Sequence, residues 1–273
     1  MRDMSIFWLR VAVVLYSAGL MDAVWNAIRR DARIFPTAMG AFRVGVVIHM
    51  VAIVELWFGL GHVPADNFYE SMSLCGFFLA VVFLFVEWRY RFNSLGVAFF
   101  PLVFLMTLVG ATELPVAGWQ DPAVRGLWLT VHVLLILSGY AALALTAVAA
   151  LFYLVQERRL KLKKTGAISD RLPPLATLDN LITRAMGTGF LLITLGLVAG
   201  STWAFIESGT GWITDPKIAV SMATWLFYLI MVFLRTSAGW RGRKAAVMAL
   251  CVVGCSALTW AAHVGLRPLL ETR

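Results

Sequence analysis

Four histidines give the 273-residue chain its clearest capacity for ligand chemistry. Neutral imidazole is a good iron ligand, and two imidazoles can occupy the axial positions of a heme. His62, His132 and His263 lie near the ends of apolar segments that we expect at one membrane face, whereas His49 lies inside an apolar segment. Placement alone leaves two interpretations open: an axial pair of iron ligands, or ordinary hydrogen-bonding residues at an interface.

A tryptophan-rich segment, residues 200–217, adds a second chemical feature on the same predicted face. Trp203 and Trp212 flank glycines, and together they predict a flat apolar surface. A porphyrin is a flat apolar ring with anionic propionates at one edge. Aromatic stacking suits the ring, and Lys217 or backbone N–H groups suit the propionates. The alternative is an aromatic belt at the membrane interface.

The elements that must position these residues follow from the composition. Hydrophobic residues make up 60% of the chain and charged residues only 14%, against about 25% charged residues in soluble domains. That composition excludes a soluble globular domain and a disordered chain. Because a membrane-spanning helix needs about 20 apolar residues, we predict an all-α polytopic membrane protein with about eight transmembrane helices. The predicted spans lie near residues 6–25, 41–62, 71–88, 95–112, 126–156, 185–206, 218–234 and 245–266.

The net charge of +8 indicates membrane topology rather than nucleic-acid binding. Alternate loops, counted with Arg43 near the start of the second span, hold 17 of the 23 Lys and Arg residues. The other side, with both termini and Arg10 of the first span, holds 6. Because Lys and Arg concentrate in cytoplasmic loops, we predict that both termini face outward.

We predict a single integral membrane domain over residues 1–273. Its outer loop is the tryptophan-rich segment 200–217, and its longest cytoplasmic loop is the basic segment 157–184. Pro173 and Pro174 interrupt that cytoplasmic loop and divide the predicted spans into five and three. The basic run at residues 157–164 has two interpretations, contact with anionic lipid headgroups or docking of a protein partner.

Several other functions lack their motifs in this sequence. Cys75, Cys251 and Cys255 all lie in predicted spans, and no C-x-x-C-H motif for covalent heme attachment occurs. The sequence also lacks the phosphate-binding loop, the G-x-S-x-G elbow and the H-E-x-x-H zinc motif. A c-type cytochrome, a hydrolase and an ATP-driven protein are therefore not supported.

Residues 208–218 resemble the tryptophan-rich signature of the cytochrome c assembly proteins, the CcsA, CcmC and HemX group with its YpjD-like members. That signature is roughly W-G-x-x-W-x-W-D-P-K-E, followed by a T-W pair. Ser208 and Thr214 replace its first and third tryptophans, and Ile218 replaces its glutamate. The matching positions are Gly209, Trp212, Asp215, Pro216 and Lys217, with Thr224 and Trp225 as the following pair.

Flanking segments resemble the same family. Residues 128–140 are similar to its histidine helix, residues 239–244 to its basic turn, and His263 to its downstream outer histidine. The resemblance implies a non-covalent b-type heme at the outer loop, with His132 and His263 as axial ligands. It also relates His49 to a histidine that some members carry within the membrane. The heme-binding residues implied are His132, His263, Trp203, Trp212, Asp215, Lys217, Trp225 and His49.

The function implied is that of a heme-handling assembly factor, rather than a stand-alone enzyme, in the bacterial cytoplasmic membrane. Its expected partners are heme, apocytochrome c, another membrane assembly subunit and the lipid bilayer, with no nucleic acid. The alternative is a non-catalytic HemX-like or YpjD-like scaffold or regulator that acts through protein partners. A small-molecule transporter is a weaker third interpretation, because no inverted repeat or pair of discontinuous helices is evident.

Overall fold

The computed structural model describes residues 2–29, 36–65, 67–90, 93–112, 127–163, 173–208 and 216–270. Within these ranges the chain forms eight α-helices and one short 3₁₀ turn at Asn93–Leu95, and no strand. The helices are α1 (Arg2–Arg29), α2 (Pro36–Leu60), α3 (Phe68–Tyr90), α4 (Gly96–Thr112), α5 (Leu127–Lys161), α6 (Leu175–Ser208), α7 (Pro216–Thr236) and α8 (Arg243–Leu270).

The helices follow the apolar runs of the sequence, because a helix satisfies its own backbone hydrogen bonds in lipid. Segments of α1, α2, α3, α5, α6 and α7 are long and apolar enough to cross a membrane, and α4 is a shorter apolar helix of 17 residues. The predicted all-α polytopic architecture is confirmed. The outward orientation of both termini remains a prediction.

Local signals set several helix ends. Asn67 caps α3, since its side-chain oxygen accepts a hydrogen bond from the backbone N–H of Glu70 at 2.9 Å. Gly61 ends α2 with a φ of 76°, a left-handed conformation that glycine adopts without a Cβ clash. These ends leave His62 just beyond α2.

The chain divides into two compact units, and the first contains α1–α4. Unit 1 comprises Met1–Gly126 and Arg159–Pro173. Its core is an aromatic cluster centred on Phe42. The centroid of the Phe42 ring lies 5.0 Å from that of Tyr16, 5.4 Å from that of Phe83 and 4.7 Å from that of Phe100. All four side chains are fully buried, so the cluster ties all four helices of this unit together.

Unit 2 contains α5–α8 and comprises Leu127–Arg158 and Pro174–Arg273. Glycines bring α5 and α6 into close contact: a Cβ on Gly139 would lie 2.5 Å from Ile193 Cγ1, and one on Gly196 would lie 2.8 Å from Ile136 Cδ1. Among the described residues, five helices precede Pro173 and Pro174 and three follow them, as predicted, but each compact unit contains four helices. Helix α5 packs against α6, because small residues on both helices let their backbones approach.

The helices also extend into both predicted loops. Residues 200–208 continue α6, and α7 begins at Pro216, whose fixed φ suits the first helical position. The loop predicted at 200–217 is thus helical at both ends, and residues 209–215 lie outside the described residues. The predicted loop 157–184 is likewise helical over 157–161 and 175–184, since Lys, Arg and Leu are good helix formers.

Candidate functional site

His132 lies on α5, about 8 Å along the axis from the start of the helix. Its Nδ1 atom is 2.7 Å from the backbone oxygen of Gly196 on α6, and the side chain is half-buried. A carbonyl oxygen can only accept, so the Nδ1–H of His132 donates this hydrogen bond. The proton is thereby fixed on Nδ1, and Nε2 is the nitrogen with a lone pair for a metal. Metal-ligating histidines are commonly oriented in this way.

Gly200 makes room for the imidazole of His132. A Cβ at position 200 would lie 2.5 Å from Nδ1 and 2.7 Å from Cε1 of His132. Distances below 3.0 Å to a ring that is already held by a hydrogen bond cannot be relieved without moving the ring. The glycine therefore sets the position of the histidine.

Trp203 continues the same stripe of α6 toward the end of the helix. Gly196, Gly200 and Trp203 are spaced by four and three residues, which places them on one helix face. The Trp203 side chain is half-buried, and the next turn exposes Phe205 and Ile206. A histidine of fixed orientation is thus followed by an aromatic and apolar surface at the end of the helix.

The other predicted outer residues are described only in part. His263 falls in α8, about 10 Å before the end of the helix. Lys217 is the second residue of α7. The side chains of both residues lie outside the described part of the structure, and so do Trp212 and Asp215 as whole residues. Helices α7 and α8 are joined by the short turn at 237–242, which makes them antiparallel neighbours. The end of α8 with His263 is therefore at the same end of unit 2 as the start of α7.

Trp225 packs α7 against α6. Its indole N–H donates to Thr194 Oγ1 at 2.9 Å, and its ring stacks on Phe190 with centroids 6.0 Å apart. Thr194 precedes Gly196 by two residues, which turns its side chain roughly 160° around α6 from the His132 contact. The structure thus separates Trp225 from His132 by the width of α6.

His49 lies in unit 1 and is fully buried. Its Nδ1 is 3.3 Å from the hydroxyl of Tyr16 on α1, and its Nε2 is 2.9 Å from Ser73 Oγ on α3. Its ring also makes an edge contact with Phe77 at 5.5 Å between centroids. Both ring nitrogens are therefore engaged in hydrogen bonds that join three helices.

Sequence reasoning missed a buried ion pair at the opposite end of unit 2. Arg235 at the end of α7 pairs with Asp179 of α6 at 2.9 Å, with 4% and 19% of the two side chains exposed. The guanidinium also donates to Thr183 Oγ1 and to the backbone oxygen of Trp240. The available signal was the presence of one Arg and one Asp at the polar ends of otherwise apolar segments, but the sequence does not say that they pair.

Comparison with known proteins bears on this arrangement. A model of the family described as Cytochrome C assembly protein matches residues 65–261 of the chain. The chain is also similar to proteins named cytochrome c biogenesis protein CcsA. That of Heterosigma akashiwo is 28% identical over 70% of each chain. That of Porphyra purpurea is 26% identical over 85% of this chain and 86% of its own, and that of Prochlorococcus marinus is 28% identical over 77% and 78%.

These matches confirm the family that the tryptophan-rich segment predicts, and they favour a role in cytochrome c assembly over the scaffold alternative. The matched range includes His132, the segment 200–217 and Trp225. It excludes His49, and it ends two residues before His263.

Proposed function

The chain belongs to the family of cytochrome c assembly proteins, and from that premise we propose that it holds heme at the outer end of unit 2 and presents it to apocytochrome c. The observation that carries the proposal is the 2.7 Å hydrogen bond from His132 to the Gly196 carbonyl. This bond fixes the proton on Nδ1, so Nε2 is the nitrogen that would coordinate iron. It also joins His132 to α6, the helix that precedes the family signature.

The chain would bind its cargo through three kinds of side chain. His132 and His263 would supply imidazole nitrogens to the iron, Trp203 and Trp212 would make apolar contact with the ring, and Lys217 would attract a propionate. Asp215 precedes Pro216 at the start of α7 and keeps the place it has in the family signature. Heme brings the iron chemistry, and the chain supplies ligation, orientation and exclusion of water.

His49 and Trp225 stand outside this ligand set in our proposal. Coordination by His49 would require it to give up a hydrogen bond to Tyr16 or to Ser73 in the interior of unit 1. Trp225 uses its N–H on Thr194, on another side of α6 from His132. Both residues support the fold instead, because His49 joins helices within unit 1 and Trp225 packs α7 against α6.

The spectrum of the purified protein tests the proposal. We expect protein from heme-replete cells to show a Soret band that disappears in the His132→Ala, His263→Ala double variant. His62→Ala is the matched control, because it removes a histidine at the end of a span that is outside the ligand set. A colourless wild-type protein, or a Soret band that survives the double variant, contradicts the proposed site.

The location and partners are tested separately. We propose the bacterial cytoplasmic membrane as the location and a second membrane assembly subunit as a further partner, because presentation of heme requires an acceptor and a source. Cell fractionation and crosslinking in intact membranes measure both. Recovery of the protein in another membrane contradicts the proposed location, and the absence of a crosslinked membrane subunit contradicts the proposed partner.

A further inference from the structure

A cluster of exposed cations lies at the turn between α7 and α8. Arg241, Arg243 and Lys244 are all exposed, and the neighbouring Trp240 is half-buried. The ammonium of Lys244 lies over the Trp240 ring at 5.5 Å from the centroid. We call residues 239–244 the basic turn.

The backbone of the basic turn is ordered by two left-handed glycines. Gly239 and Gly242 have φ values of 64° and 66°, which disfavour any residue with a Cβ. The N–H of Trp240 donates to the Leu234 oxygen at 3.2 Å, and the N–H of Gly242 donates to Asp179 Oδ1 at 3.2 Å. The turn is thus anchored both to the end of α7 and to a side chain of α6.

A buried arginine completes this anchor. Arg235 donates to the Trp240 oxygen at 3.2 Å while its guanidinium pairs with Asp179 at 2.9 Å. The charge of Arg235 is therefore neutralised inside the protein. The three exposed cations therefore lie on a turn whose buried anchor, the Arg235–Asp179 pair, carries no net charge.

The position of the basic turn indicates which kind of molecule it would bind. It joins the ends of α7 and α8, where a membrane protein meets the headgroups, and tryptophan is enriched at that depth. Arginine binds phosphate oxygens through paired N–H groups, and clusters of Lys and Arg beside spans attract anionic lipids. We propose that the basic turn is a preformed binding site for the phosphate headgroup of an acidic phospholipid.

Native mass spectrometry of the full-length protein tests the site. The protein is released from detergent micelles that contain equal amounts of palmitoyl-oleoyl phosphatidylglycerol and the matching phosphatidylcholine. We expect the wild type to retain the phosphatidylglycerol. The variant with Arg241→Gln, Arg243→Gln and Lys244→Gln should lose at least about tenfold of that preference, since each cation near a membrane surface contributes several-fold.

A second triple variant separates a site from a diffuse positive charge. Arg158→Gln, Lys161→Gln and Lys163→Gln also removes three exposed cations, from the end of α5 and the turn that follows it. We expect it to keep most of the lipid preference. Equal losses in the two triple variants would mean that net charge alone attracts the lipid, and the proposal would be wrong.

Gly242→Ala tests whether the turn must be preformed. It keeps every cation but forces a Cβ into a left-handed backbone, 2.9 Å from Tyr153 Oη. Gly187→Ala is the control, because a Cβ there meets nothing within 4 Å. We expect the preference to fall several-fold in Gly242→Ala only. A folded Gly242→Ala protein with the wild-type preference overturns the idea of a built site, and if it does not fold, the two triple variants still decide.

Discussion

Each unit contains a hydrogen-bonded histidine and an ion pair, but the two units differ in how these groups are bonded and buried. Unit 1 encloses His49 between Tyr16 and Ser73, with both ring nitrogens engaged. Unit 2 holds His132 near a helix end, with Nδ1 fixed by Gly196 and the side chain half-buried. A histidine in a membrane protein is therefore not a ligand by type alone. The hydrogen bonds of His49 engage both of its ring nitrogens, whereas the bond from His132 to Gly196 fixes the proton on Nδ1.

The ion pairs of the two units differ in the same sense. In unit 1, Arg43 and Glu87 join α2 to α3 at 3.0 Å with 57% of the arginine side chain exposed. In unit 2, the Arg235–Asp179 pair is largely buried and holds the turn between α7 and α8. Matched substitutions in the two units test whether burial causes this difference.

Arg235→Ala should have the largest effect on stability. Removing the arginine leaves Asp179 with an uncompensated buried charge, which costs about 3–5 kcal/mol in known proteins. SDS titration in mixed micelles, followed by circular dichroism, measures the loss. A cost of less than about 1 kcal/mol, as for a surface pair, would remove the distinction between the two ion pairs.

His49→Leu should destabilise unit 1 without removing heme. The hydroxyls of Tyr16 and Ser73 lose their shared partner, and an unsatisfied buried polar group costs about 1–3 kcal/mol. The same SDS titration measures stability, and the Soret absorbance per protein measures heme content. Loss of heme from a folded His49→Leu protein would show that the histidine of unit 1 is also a ligand.

Gly200→Ala should weaken heme binding about tenfold, because groups that orient a ligand contribute at least that much to metal affinity. The new Cβ would press on the His132 ring, whereas Gly187→Ala on the same helix meets nothing within 4 Å. Heme titration of the apoprotein gives both affinities.

Gly110→Ala provides the counterpart in unit 1. Its Cβ would lie 2.8 Å from Ser73 Cβ, so it should lower stability through α3–α4 packing and leave heme affinity unchanged. Equal heme affinities for Gly200→Ala and Gly187→Ala would contradict the role of Gly200 in placing His132.

Arg43→Gln should have the smallest effect and lower the free energy of unfolding by at most about 1 kcal/mol. Solvent and salt screen an exposed ion pair, and ordering its two side chains costs conformational entropy. Its thermal unfolding midpoint in detergent should change little and should be insensitive to added salt. A drop as large as that of Arg235→Ala would mean that the two units rely on ion pairs equally.

The sequence predicted the helices well because long apolar runs leave a chain in lipid few alternatives. It did not predict how they group. Pro173 and Pro174 marked a boundary in composition, but the shape match of Gly139 with Ile193 keeps α5 beside α6. Such a match depends on which glycine meets which side chain, and a single sequence does not contain that information.

The candidate site could be predicted only in part, because several of its side chains have partners that are distant along the chain. His132 and the family signature follow from motif and position, whereas the partner of His132 is a backbone oxygen 64 residues away. The partners of His49 are 33 and 24 residues away along the chain. The sequence therefore did not predict that both ring nitrogens of His49 are hydrogen-bonded. Trp225 matched the signature, yet its packing on Thr194 and Phe190 emerges only from the fold.

Imidazole rescue of His132→Gly tests the central claim most directly. The absorption spectrum of the heme-loaded variant is recorded with and without added imidazole, beside wild type and His49→Gly. We predict that His132→Gly loses the wild-type Soret position, that imidazole restores it by occupying the vacated ligand position, and that His49→Gly keeps it throughout. A wild-type spectrum for His132→Gly without imidazole, or an imidazole-dependent spectrum for His49→Gly, would contradict the assignment of the ligand to unit 2.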